Sequence, residues 1–479
     1  MILRAVDKKV SSVMERLFCF VPHLWCLVVG VSLFQLAQLL NIDAHNAQRI
    51  VQLGLFGFSL FIALLAVLCS DSAISNSPRF SNSNAGLLVV ASMMTIVGIV
   101  GSLIGARFPV WALLDLEYLL MLLGGGWIIF LSLQKAALVH WRLLGGAVVI
   151  AMLLFSFRSF VEVLIASPFS NKLTATPAFT NIRTYANLAV IFIPLSCLAL
   201  TGSPGVGRVF LVWLVNVFWV WVLVLTEARA ALLALGVGVG WVALRYGRSG
   251  LVALAGALSV LFVSSLIYLL VPVLEADGWV RDITSSSGRW ELWSLSWRYF
   301  VDSFPFGIGG MMFAADGRLA HASPHNVFFT LMAEWGALVV AGGVLFFSFL
   351  IQQSRRNPKG ESPSAKVMIP VVWAVIAGFV NAQFSGAHIG SFSSMALILA
   401  FGAYSALRFP AHLSQKERPI RGLPTRLILI ILFCIWGHAS FLSYKLHIIS
   451  EDRRGTCLEL ASGKLYPRIW VQGRLDCGL

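Results

Sequence analysis

Apolar residues fall along this chain in long blocks rather than in short alternations. The blocks cover residues 17–40, 50–70, 85–105, 109–133, 140–166, 184–201, 206–226, 229–247, 249–272, 326–351, 367–386, 390–408 and 426–443. A helix needs roughly 20 apolar residues to cross bilayer hydrocarbon, and most blocks have that length. The pattern predicts an all-α polytopic membrane protein with about 12–13 transmembrane helices. The count turns on the adjoining blocks 206–226 and 229–247 and on the last block. Four regions are expected: an N-terminal transmembrane helix bundle (1–272), a polar loop (273–325), C-terminal transmembrane helices (326–443) and a tail (444–479).

Composition agrees. Hydrophobic residues make up 58% of the 479 positions, charged residues 12%, and mean hydropathy is +0.85. A soluble domain carries about twice that charged fraction, which excludes a soluble enzyme. The net charge of +14 could suggest a nucleic-acid partner, but its distribution points to membrane topology instead. With the N-terminus in the cytoplasm, nineteen Lys and Arg fall in cytoplasmic segments and six in the short opposite connections or span ends. The 273–325 loop then faces outside, the periplasm in a Gram-negative inner membrane. No cleavable signal is expected, because the basic start runs directly into a span too long for one. Cys19, Cys26, Cys69, Cys197 and Cys434 lie in or beside apolar blocks and read as packing residues. Cys457 and Cys477 lie in the tail; thirteen spans place it outside, where a disulfide is permitted, and twelve leave it in the reducing cytoplasm.

Charged side chains inside spans are costly and point to function. Asp115, Glu117, Arg158, Glu162, Glu227, Arg229 and Glu334 all fall in the outer part of their spans. Glu334 is the deepest, about 12 Å along its helix at 1.5 Å per residue. A transporter or exporter would place such groups near the bilayer midplane, often in paired repeats, and neither feature is present. A site open to the outer leaflet fits better. The simpler alternative is that these charges pair with one another and tie helix ends together.

Between Ser285 and Glu334 the chain reads SSSGRWELW, FPFGIGG and HASPHNVFF. Trp290, Trp293, Trp297, Phe300 and Phe304 recur at helical spacing, which predicts an amphipathic helix seated at the membrane interface by its aromatic face. Ser285–Ser287 would cap it and aim its N–H groups and Arg289 at an anion. Pro305 breaks the helix, and Gly307, Gly309 and Gly310 permit close backbone approach. His325 and Asn326 then open the next span. A histidine there can exchange a proton with a hydroxyl, so His325 is the candidate base, ahead of His321. Arg183, in the run FTNIRTYAN with Asn181, and Arg229 sit at comparable depth. Glu227 and Arg229 are two apart and would not face each other on one continuous helix. Three arginines with an imidazole suit a diphosphate, which guanidinium grips bidentately. The sequence has no metal-ligand cluster, DxD pair or P-loop, so no cofactor is expected.

These residues resemble a family. The runs TEARAALL (226–233), SGRWELW (287–293), PFGIG (305–309) and PHNVFF (324–329), followed by Glu334 and Gly336, resemble the bacterial O-antigen ligase and O-antigen polymerase superfamily. Ala228 stands where the family often has Ser. The resemblance implies a GT-C-like, metal-independent, inverting glycosyltransferase. Its donor would be a glycan on undecaprenyl diphosphate and its acceptor, for a ligase, a hydroxyl of lipid A–core. His325 would activate that hydroxyl or orient it. Arg183, Arg229 and Arg289 would hold the diphosphate, with Asn181, Arg158, Glu227 and Asn326 in support. O-antigen ligase is the leading expectation, then polymerase, then protein O-oligosaccharyltransferase. A polysaccharide exporter or flippase is the reading from a different class.

Overall fold

Every apolar block is mainly helical where it is described. The computed structural model describes residues 13–36, 44–69, 85–134, 136–165, 176, 179, 182–270, 288–315, 323–356, 365–409 and 423–452. Asn181, Ser285–Ser287, His321, Cys457 and Cys477 lie outside these residues. Among them the chain runs α1 (Val21–Val31), a π-turn (Ser32–Leu36), α2 (Ala44–Cys69), α3 (Ala85–Gly105), α4 (Pro109–Leu133), α5 (Leu138–Ile165), α6 (Ile182–Ser196), α7 (Val206–Leu225), α8 (Arg229–Leu270), α9 (Arg289–Asp302), α10 (Met312–Ala315), α11 (Val327–Arg356), α12 (Ala365–Ala382), α13 (Ser391–Arg408) and α14 (Leu423–Asp452).

By length and hydropathy, eight of the described helices can cross a membrane, or nine if Val13–Cys19 and Val21–Phe34, bent by 51°, form one span. The expected 12–13 is higher for physical reasons. Val89–Gly105 and Lys366–Ala382 are short, α13 is diluted by Ser391, Ser393, Ser394 and Ser405, and α8 counts once although it is broken. At Gly247, with φ 53° and ψ −130°, α8 turns, and Gly250 then meets the Val242 carbonyl so closely that a Cβ would not fit. The chain is therefore an all-α, multi-pass membrane protein.

The helices group into two compact units. The first comprises Met1–Asn76, Leu123–Trp279 and Glu361–Ile430, and the second Ser77–Leu122, Val280–Gly360 and Ile431–Leu479. In the first, small residues let helices approach closely, as membrane packing favours: Gly30 lies on Ala151, and Gly238 lies on Trp373. Helix α6 is enclosed by an aromatic knot. Tyr185 stacks on Phe155 at 5.1 Å and donates its hydroxyl to the Trp219 carbonyl at 2.8 Å. Asn381 of α12 donates to Asn187 of α6 at 2.8 Å. Arg49, fully buried, donates to Gln52 at 2.7 Å and to the Ile389 carbonyl at 2.9 Å, closing the turn before α13.

In the second unit α3 and α11 are the main pair. Gly98 lies on Leu338 and Val339, and Gly342 lies on Thr95. Helix α11 is broken at Gly336, with φ 80° and ψ −178°, a conformation that only glycine adopts readily. The break releases carbonyls that the 303–310 loop fills. The Ile308 and Gly309 N–H groups donate to the Ala333 and Glu334 carbonyls at 2.9 and 2.8 Å, and the Ala337 N–H donates back to Pro305 at 2.9 Å. Ser102 of α3 donates to the Phe306 carbonyl and lies 3.2 Å from that of Trp335. The close approach expected of the glycine run thus serves this docking. A Cβ on Gly307 would lie 2.6 Å from the Glu334 carbonyl group.

Candidate functional site

Arg229 owes its place to a helix stop where the apolar blocks 206–226 and 229–247 are expected to meet. The run LTEARAALL contains strong helix formers, yet α7 ends at Leu225 and α8 starts at Arg229. The Glu227 N–H donates to Val224 and the Ala228 N–H to Leu223, both at 3.0 Å, the bond pattern of a Schellman motif. The left-handed position, usually glycine, is Glu227 at φ 53°. Glu227 and Arg229 therefore do not share a continuous helix, and the i,i+2 reading does not apply. Arg229 is exposed at the first position of α8.

Arg183 is half-buried in the first turn of α6, two residues before the knotted Tyr185. Helices α6 and α8 both pack against α12. Arg158 is engaged locally. It donates to the Phe34 carbonyl at 2.7 Å, holding the π-turn, and lies 3.6 Å from Glu162. The Arg158–Glu162 pair lies within α5, whereas the 2.6 Å contact of Glu117 with His438 in the second unit ties two helices together.

The second unit carries Arg289, His325 and Asn326. Arg289 opens α9, and the position before it is Gly288 at φ 72°, with no side-chain cap. The expected serine cap thus does not occupy the capping position; a left-handed glycine turns the chain into the helix. The buried face of α9 is Leu292, Leu295, Ser296 and Tyr299, which pack with Phe313 and Ala333. Trp290, Trp297 and the following Phe304 are 70%, 52% and 65% exposed, so most of the aromatic stripe faces away from the protein.

Trp293 and Phe300 are only partly exposed, and Trp293 is the one that meets the turn at Pro324. It is half-buried, stacks on Phe329 with centroids 5.5 Å apart and planes at 16°, and donates its indole N–H to the Pro324 carbonyl at 3.2 Å. Residue 325 follows at φ 53°, a left-handed conformation costing about 1 kcal/mol or more outside glycine. The His325 N–H lies 3.4 Å from the Ser323 hydroxyl. Asn326 caps α11, its side-chain oxygen accepting the Phe329 N–H at 3.0 Å. Glu334, fully buried, accepts the Phe313 N–H at 3.3 Å and anchors the loop.

The second unit thus holds a half-buried imidazole at a helix start, and the arginine-bearing helix bonds to the peptide before it. Such a pair can orient a hydroxyl and meet negative charge. Among the described residues no group of three or more His, Cys, Asp or Glu could hold a metal ion. Sequence reasoning missed Ser102, the Trp293 bond and the acceptor role of Glu334; the helical spacing of Trp293 and the depth of the Glu334 charge were the signals it had.

Residues 214–342 match a family model described as O-Antigen ligase (Wzy_C). No curated protein matches the chain. The matched stretch includes Glu227, Arg229, Arg289, His325, Asn326 and Glu334 but not Arg158, Asn181 or Arg183. The match supports placing the chain in the O-antigen ligase superfamily, through the segment that carries Arg229, Arg289 and His325.

Proposed function

We propose that the chain is an O-antigen ligase acting at the periplasmic face of the bacterial inner membrane. Its donor is a glycan on undecaprenyl diphosphate, and its acceptor is a hydroxyl of lipid A–core. The observation that carries this reading is the strained turn at His325, tied to the Arg289 helix inside the segment that matches the family. His325 takes the proton of the acceptor hydroxyl as its oxygen bonds to the anomeric carbon. The bond from that carbon to the phosphate oxygen breaks on the opposite side, so the configuration inverts. Undecaprenyl diphosphate leaves with the electron pair, and Arg289 meets the charge that develops on it. Arg183 and Arg229 carry the same diphosphate role through the resemblance. The proton on His325 then passes to water.

His325→Ala tests the assignment. Transfer should fall roughly 10²–10⁴-fold with normal membrane insertion, measured on lipid-linked donor and purified lipopolysaccharide core. Unchanged transfer overturns the mechanism. Lipopolysaccharide banding of a deletion strain separates the two related activities: bare core with accumulated lipid-linked polymer marks a ligase, and core bearing one repeat unit marks a polymerase.

A further inference from the structure

We infer that Trp293 is a positioning residue that holds the backbone of His325 in its left-handed conformation and in register with Arg289. This rests on the transferase reading above and adds a residue to it. Three observations converge on the tryptophan. It lies one helical turn beyond Arg289, on the same side of α9. Its N–H donates to the carbonyl of Pro324, which belongs to the peptide linking Pro324 to His325. Its ring stacks on Phe329, whose own N–H is capped by Asn326. Trp293 therefore grips the chain on both sides of His325, at the preceding carbonyl and at the fourth residue after it.

A left-handed non-glycine residue persists only where its surroundings fix it. At 325 the neighbouring bonds within the turn include the long contact to Ser323 and the Asn326 cap. The cap holds residues 326–329 and does not reach the 324–325 peptide. The indole N–H fixes that peptide from outside the turn. Trp290 packs edge-on against Trp293 at 5.5 Å, whereas Trp297 is mainly exposed, pairs with Phe300 and serves as the internal control.

The test uses the full-length protein in lipid nanodiscs and has two readouts. The first needs no substrate: the rate at which diethyl pyrocarbonate modifies His325, followed by mass spectrometry. Trp293→Phe keeps the stack and removes the N–H, and it should raise this rate while Trp297→Phe leaves it unchanged. The second is transfer kinetics, where Trp293→Phe should lower kcat about tenfold to a hundredfold with donor KM unchanged. An unaltered modification rate in Trp293→Phe overturns the inference whatever the kinetics show. A raised rate with unchanged kcat overturns the claim that this positioning matters to transfer. If the parent protein transfers nothing, the ligase reading fails, while the modification rate still decides whether Trp293 holds His325. Should Trp293→Phe fail to insert, Phe329→Leu loosens the same grip from its other side, and an unaltered rate there overturns the inference.

Discussion

Glu227 and His325 share one backbone conformation, each at φ 53°, and each stands beside a candidate site residue at a helix boundary. What holds them differs. The Glu227 turn is stabilised by its own main chain: three successive N–H groups, of Glu227, Ala228 and Arg229, find carbonyls within five residues. The His325 turn draws on Trp293, more than thirty residues earlier. One break is local chemistry, and the other is a product of tertiary packing. The difference suggests a division of labour, in which a self-contained turn sets where Arg229 starts its helix and a borrowed one keeps an imidazole in a strained pose.

Replacing both residues by glycine is the sharpest way to separate them. His325→Gly relieves strain but removes the imidazole, so transfer should fall roughly 10²–10⁴-fold while thermal stability in detergent holds or rises. Retained transfer would mean that the backbone, rather than the ring, is what position 325 supplies. Gly336→Ala comes next in size. Its Cβ would run into the Pro305 carbonyl at a φ of 80°, and a loss of roughly 2–4 kcal/mol is expected. Hydrogen exchange should quicken at Ile308 and Gly309 and stay unchanged at Glu227 and Ala228. Equal quickening at both places would contradict the local character of the Glu227 turn. Asn326→Ala removes the α11 cap and should cost about 1 kcal/mol, read from the thermal midpoint. The smallest effect on stability is Glu227→Gly, expected to stabilise by up to about 1 kcal/mol, read from the thermal midpoint. A destabilisation there would show that the Glu227 side chain, and not its main chain, holds the turn.

The contrast also marks how far the sequence could be read. Helices were legible because a bilayer-crossing block declares itself through hydropathy alone, and Asn326 was legible as the residue opening a helix. The stop between 226 and 229 was legible as the gap between two apolar blocks, but the left-handed turn at Glu227 was not, since neither glycine nor proline marks it. Helix α9 carries two stripes at helical spacing, Trp290–Trp293–Trp297 and Leu292–Leu295–Tyr299. Periodicity reports both equally, and only the packing of Phe313 and Ala333 decides that the second faces the core. The docking of the glycine loop into the α11 break pairs residues about 25 apart through backbone groups, to which side-chain patterns are blind. The candidate residues themselves were visible as charges in apolar surroundings, because burying them without purpose is costly.

The break at Gly336 has a consequence for exchanging segments between related chains. The segment 327–335 is bonded to the 303–310 loop through its carbonyls, while residues beyond 337 continue as an ordinary helix on α3. A chimera exchanging residues 288–326 up to the start of α11 would set a foreign loop against native acceptors. The inheritable cassette is the stretch from Gly288 through Ala337, and Ser102 must travel with it.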